Sequence, residues 1–203
     1  MAGPRSFLFV GEIEIELKFS PDPPILGWIV LMSSNGPWVI PQRKKTLIVG
    51  VADMIASNDA TAELVTYSLG SCLGVAIYDP VAKVGGLLHA MLPDSTIDAN
   101  KAVSHPLMFI DTGIPHLFRT VYGLGGVKGR LTVRVAGGAE FLDSEGFFNI
   151  GARNIKSLQS LLQKNGHRID AAAMGGRCSR TVKLEMSSGR FTIQSPGEDP
   201  KLL

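Results

Sequence analysis

With 203 residues, 45% of them hydrophobic, and 23 glycines, the chain is long enough to bury one full core and a small appendage. Charged residues make up only 19% and the formal net charge is +2, so no strong field exists to hold a polyanion, and nucleic acid is not an expected partner. Two cysteines, Cys72 and Cys178, are too few for a disulfide framework and point to a reducing compartment.

The first 45 residues carry Pro21, Pro23, Pro24, Pro37 and Pro41, then the basic run Arg43, Lys44 and Lys45. They read as an extension, residues 1–45, that is a candidate for poor order. Within it Glu12 to Phe19 alternates with period two, as a half-buried strand does, but no partner strand is evident beside it. The apolar stretch Ile25 to Met32 is well short of the roughly 20 residues that span a bilayer, and Glu12, Glu14 and Glu16 interrupt any secretory pattern. The expectation is a cytoplasmic protein without membrane insertion.

From Thr46 onward, β-branched and apolar runs alternate with turn residues. Strands are expected at Thr46 to Val51, Leu64 to Ser68, Leu73 to Tyr78, Val84 to Met91 and Leu131 to Val135. Helices are expected from about Pro106 to Tyr122, with Ile110, Ile114, Leu117, Phe118 and Val121 on one face, and from about Ala152 to Asn165, with Ile155, Leu158, Leu161 and Leu162 as its stripe. Further strands follow at Arg168 to Ala173, Thr181 to Met186 and Phe191 to Gln194. Many strands with two substantial helices, out of strict alternation, indicate an α+β fold: a mixed, largely antiparallel β-sandwich with flanking helices over residues 46–203.

The chemistry concentrates in TYSLGSCLGVAIYDPVAKVGGLLHAMLPDS, Thr66 to Ser95. Asp79-Pro80-Val81-Ala82 makes a reverse turn between two apolar runs, which should pair as a hairpin. That register sets Cys72 against a residue between His89 and Met91 and brings an imidazole beside a thiol. The pair makes sense chemically: a neighbouring imidazolium stabilises the reactive thiolate, and the same ring can return a proton to a leaving group. Gly70 and Gly74 keep side-chain bulk away, so main-chain N–H groups near Ser71 and Cys72 are candidate oxyanion donors. Against this stands the commoner fate of a lone cysteine in an apolar strand, a small core hydrophobe. The run Gly70-Ser71-Cys72-Leu73-Gly74 also imitates a nucleophile elbow, but an elbow needs a helix next, and Val75, Ile77 and Tyr78 favour a strand.

These residues resemble the active-site segment of the CheD family of chemoreceptor glutamine deamidases. The likeness continues through Gly137-Gly138-Ala139, NIGARN from Asn149 to Asn154, and Gly175-Gly176 with Arg180-Thr181-Val182, covering about residues 46 to 195. It implies Cys72 as nucleophile, His89 as acid/base and Thr66 as the residue that orients the histidine, on a fold related to cysteine-hydrolase toxins that deamidate glutamine. It further implies chemoreceptor cytoplasmic helical bundles as substrate, the phosphatase CheC as a regulatory partner, and no metal or organic cofactor. Arg177 departs from the asparagine usual in the family after the second Gly-Gly pair. The competing class is a binding module that regulates CheC with little or no catalysis.

Other motifs carry less. Gly123 to Lys128 matches no phosphate-loop pattern and reads as a helix-to-strand connection, and His105, His116 and His167 lack metal-ligand spacing.

Overall fold

The computed structural model describes residues 44–140 and 149–203, together with the backbone of two strands nearer the N-terminus. The chain divides into two compact units, Met1–Arg43 and Lys44–Leu203. In the first, β1 (Ser6–Val10) and β2 (Ile13–Leu17) pair antiparallel with Val10 opposite Ile13. The alternating stretch thus has a partner in Ser6–Val10, which the sequence reading passed over; whether the extension as a whole is poorly ordered lies outside the described residues.

Among the described residues the second unit contains ten strands and three α-helices: β3 (Lys45–Ile48), β4 (Asp53–Ser57), β5 (Ala62–Leu69), β6 (Leu73–Asp79), β7 (Val84–Ala90), α1 (Ala99–Ser104), α2 (Ile110–Gly123), β8 (Thr132–Gly137), α3 (Ile150–Lys164), β9 (Ala171–Met174), β10 (Arg180–Glu185), β11 (Phe191–Gln194) and β12 (Lys201–Leu202). They form two five-stranded sheets, ordered β12-β11-β10-β5-β3 and β4-β7-β6-β8-β9. Most pairings are antiparallel; β3 with β5 and β8 with β9 are parallel, so the α+β sandwich expected from the sequence is the architecture found.

Three layers follow from which side chains point where. One core lies between the sheets, where Leu64, Leu69, Val182, Leu184 and Phe191 meet Ala76, Tyr78, Leu87 and Ala136. The other lies between the second sheet and the helices, where Leu73, Val75, Ile77 and Leu88 meet Ile110, Ile114, Leu117, Leu158 and Leu162. Strands β6 and β7 are therefore buried at every position, which is why their sequences read as continuous apolar runs. The face predicted for the first helix is the one α2 buries. On α3, Leu158 and Leu162 are buried and Ile155 and Leu161 pack against them in part.

The β6–β7 turn is locked electrostatically. Asp79 has no exposed surface, accepts hydrogen bonds from the N–H groups of Val81, Ala82 and Val127, and pairs with Arg130 at 2.8 Å. Burial pushes its pKa up, but the Arg130 guanidinium and the N–H groups of Ala82, Val127 and Val81 outweigh that and hold it at about 2. The segment Gly123 to Lys128 is indeed the connection between α2 and β8, and Val127 within it completes this lock.

Candidate active site

The opposite end of the same hairpin is built differently. Gly74 faces His89 and Leu73 faces Ala90, so continuing the register by one residue carries Cys72 to the level of Met91, with His89 on the diagonal. Side chains alternate along a strand, and the row of β7 that contains Leu87 and His89 looks into the space between the sheets. The row of β5 that contains Leu64 and Thr66 looks back at it. Cys72, partly buried in the loop joining β5 to β6, packs against the same inter-sheet cluster.

Thr66 and His89 meet there. Thr66 Oγ1 lies 2.8 Å from His89 Nδ1 and 2.8 Å from the carbonyl of Val49. A hydroxyl has one proton, which it donates to the Val49 carbonyl, so toward the imidazole it accepts, and Nδ1 carries the hydrogen. The other ring nitrogen, Nε2, then presents a lone pair; it is sealed from solvent and has no hydrogen-bond partner. The sequence marks Thr66 only as a β-branched strand residue; its pairing with Val49 is what fixes the tautomer.

Burial acts against the ion pair that spacing suggests. Burial pushes the Cys72 thiol above its ordinary 9.0, against a smaller downward pull from its own backbone N–H. Burial likewise pushes His89 below 6.5. Burial therefore favours the neutral form of each group over the charged one.

Three consecutive carbonyls hold the Cys72 loop in place. The Gly70 carbonyl accepts from Ala139 N–H at 2.8 Å, the Ser71 carbonyl from Asn154 Nδ2 at 2.9 Å, and the Cys72 carbonyl from Gly138 N–H at 2.8 Å. Among the described residues the N–H of Ser71 has no acceptor, while the N–H of Cys72 lies toward its own thiol. The clamp needs close approach: Gly137 has φ +109°, and a Cβ there would stand 2.2 Å from the Cys72 carbonyl oxygen. Gly74 serves packing, since a Cβ at that position would meet Leu69 Cδ1 at 2.6 Å and Val182 at 3.3 Å.

Asn154 is the residue that sequence reasoning missed. It is fully buried, and its Nδ2 also donates to the Met91 carbonyl at 2.8 Å, tying the loop before Cys72 to the chain just after His89. Its Oδ1 has no partner. A signal existed: Asn154 stands four residues before Leu158 and eight before Leu162, a polar side chain on the buried stripe of α3. Among the described residues no three His, Cys, Asp or Glu side chains converge as metal ligands.

A lone pair on a buried imidazole, a thiol on the adjoining turn and an N–H without an acceptor form a set suited to acyl transfer from an amide. Known proteins point the same way. The family model described as CheD chemotactic sensory transduction matches residues 91–195, a span that begins two residues beyond His89. The chain is 50% identical to the probable chemoreceptor glutamine deamidase CheD 1 of Syntrophus aciditrophicus, over 74% of this chain and 94% of that protein. It is 47% identical to the probable chemoreceptor glutamine deamidase CheD of Solibacter usitatus, over 77% and 93%. Identity is 36% to the protein of that name from Pyrococcus horikoshii, over 76% and 94%.

Proposed function

The chain belongs to the CheD family, and from that premise we propose that it hydrolyses glutamine side chains of chemoreceptors to glutamate, with Cys72 as nucleophile, His89 as acid/base and Thr66 holding the imidazole. The observation that carries the reading is the Thr66–His89 bond, which leaves a buried, unpartnered Nε2 lone pair on the side of the ring away from Thr66.

As Cys72 Sγ attacks the carboxamide carbon, His89 Nε2 takes the thiol proton, so charge forms only when the substrate is present to receive it. The oxyanion is held by the N–H groups of Ser71 and Cys72. Nε2–H then gives its proton to the departing nitrogen, ammonia leaves and a thioester remains. Water, deprotonated by Nε2, attacks the thioester; the sulfur leaves and recovers the proton. The receptor gains one carboxylate and hence one negative charge.

The substrate glutamines would lie on the cytoplasmic helical bundle of the receptor, which places the enzyme in the cytoplasm. Among the described residues no helix is long and apolar enough to cross a membrane. CheC is the regulatory partner that the family likeness brings, and co-purification tests it. A binding module lacking catalysis would use the same surface but release no ammonia. Co-expression with a receptor cytoplasmic fragment, followed by mass spectrometry, tests the activity: specific glutamines should gain about one dalton, and a fragment left unmodified rejects the proposal.

A further inference from the structure

Buried charges in folded proteins are paired, because an uncompensated one away from water is costly. Arg180, the first residue of β10, is partly buried and is unpaired at its buried end. Its Nη1 is sealed from solvent without a hydrogen-bond partner, and among the described residues no carboxylate forms an ion pair with it.

Its position follows from the register. The row of β10 that looks between the sheets contains Val182 and Leu184, and Arg180 is the next member toward the end where Cys72 lies. Thr66 faces Val182 and Leu69 faces Arg180, so β5 accommodates an extra residue between these pairs, with Ser68 at φ +57° absorbing the bulge. Arg180 thus stands opposite the residue one before Gly70, where the nucleophile loop begins. Across the gap, Arg180 Nη2 lies 3.3 Å from where a Cβ of Gly176 would be. Gly175 donates to the Gly137 carbonyl, and Gly137 abuts the carbonyl of Cys72. The backbone of Arg180 thus adjoins the residue that leads into the Cys72 loop, its guanidinium lies beside Gly176, and the residue is partly exposed.

We propose that Arg180 binds a carboxylate of the substrate protein next to the target glutamine, making the enzyme selective for glutamines with an acidic neighbour. The proposal rests on the deamidase reading for its site but not for its chemistry. A guanidinium donates only, and a planar pair of carboxylate oxygens is the group that satisfies it best. The target carboxamide is neutral and leaves the cation uncompensated; a neighbouring glutamate or aspartate does not.

Two labelled peptides, identical except that glutamates or alanines flank a single glutamine, test the idea by fluorescence anisotropy against the full chain carrying Cys72→Ala. The glutamate peptide should bind more tightly. Arg180→Met, which keeps the aliphatic stem, should weaken that peptide about tenfold and leave the alanine peptide unchanged. Arg180→Lys should keep part of the preference, and the Arg180→Met protein should melt no lower than its parent, since it loses a charge without a partner. Equal weakening of both peptides, no weakening of either, or a marked loss of thermal stability would overturn the assignment. The otherwise wild-type chain separates the two readings on a receptor fragment: charge-selective binding without ammonia release removes the deamidase and leaves the carboxylate site, whereas ammonia release from both peptide types at equal KM removes the carboxylate site alone.

Discussion

The two ends of the β6–β7 hairpin obey opposite rules. At the turn, Asp79 is completely buried and every approach to it is a donor: Val81, Ala82, Val127 and Arg130. At the open end, His89 Nε2, Asn154 Oδ1 and Arg180 Nη1 are sealed from water with no partner. These are the three such side-chain atoms among the described residues, and all lie around the Cys72 loop. Buried polar groups that are satisfied at one end and left without partners at the other assign stability to the first and fit the proposed chemistry at the second.

Substitutions should separate the two ends. The largest effect belongs to the open end: Cys72→Ala should reduce ammonia release by at least about a thousandfold while leaving the thermal midpoint within a degree or two. At the turn the pattern inverts. Asp79→Ala strands Arg130 and three N–H groups and should cost about 3–5 kcal/mol in chemical denaturation, with kcat little changed at temperatures where the variant is folded. Asn154→Ala crosses the boundary, since it frees the Ser71 and Met91 carbonyls together; about 2 kcal/mol of stability and a roughly tenfold or greater fall in kcat are expected, with KM nearly constant. Thr66→Val removes the acceptor for Nδ1–H together with the donor to the Val49 carbonyl and should lower kcat by about tenfold, because the imidazole then samples the wrong tautomer.

The pH responses differ in the same way. The folded Asp79 carboxyl titrates at about 2, below its ordinary 3.8, so its contribution is complete above about pH 4 and is lost as pH falls from there through about 2. Acid denaturation should show that limb, and Asp79→Asn should flatten it. Activity should instead fail earlier, as protonation of His89 removes the base. Because burial holds its pKa below 6.5, the acid limb of kcat/KM should lie under that value, and alkylation of Cys72 should climb only toward alkaline pH, since burial holds the thiol above 9.0.

Much of this was legible in the sequence, for physical reasons. Asp79-Pro80 between two apolar runs fixes a hairpin, and the hairpin fixes which residue approaches Cys72; that inference needs only local turn chemistry and strand period. The stripe of α2 was equally plain, because its apolar residues repeat at helical spacing over four turns. What escaped was non-local or weakly patterned. Strands β4 and β12 pair through the backbone with side chains half exposed, so no apolar run announces them. The Val49 carbonyl that sets the His89 tautomer comes from a strand end seventeen residues before Thr66. The burial that raises the Cys72 pKa and lowers that of His89 comes from packing distant in sequence, which no spacing encodes.

The central claim is that a covalent bond forms at Cys72. Enzyme mixed with a receptor fragment, quenched in acid and weighed intact should show a species equal to enzyme plus fragment less ammonia, mapped to Cys72 and absent in Cys72→Ala. Turnover of the fragment at full rate by Cys72→Ala, with no such species in the unsubstituted chain, would contradict it.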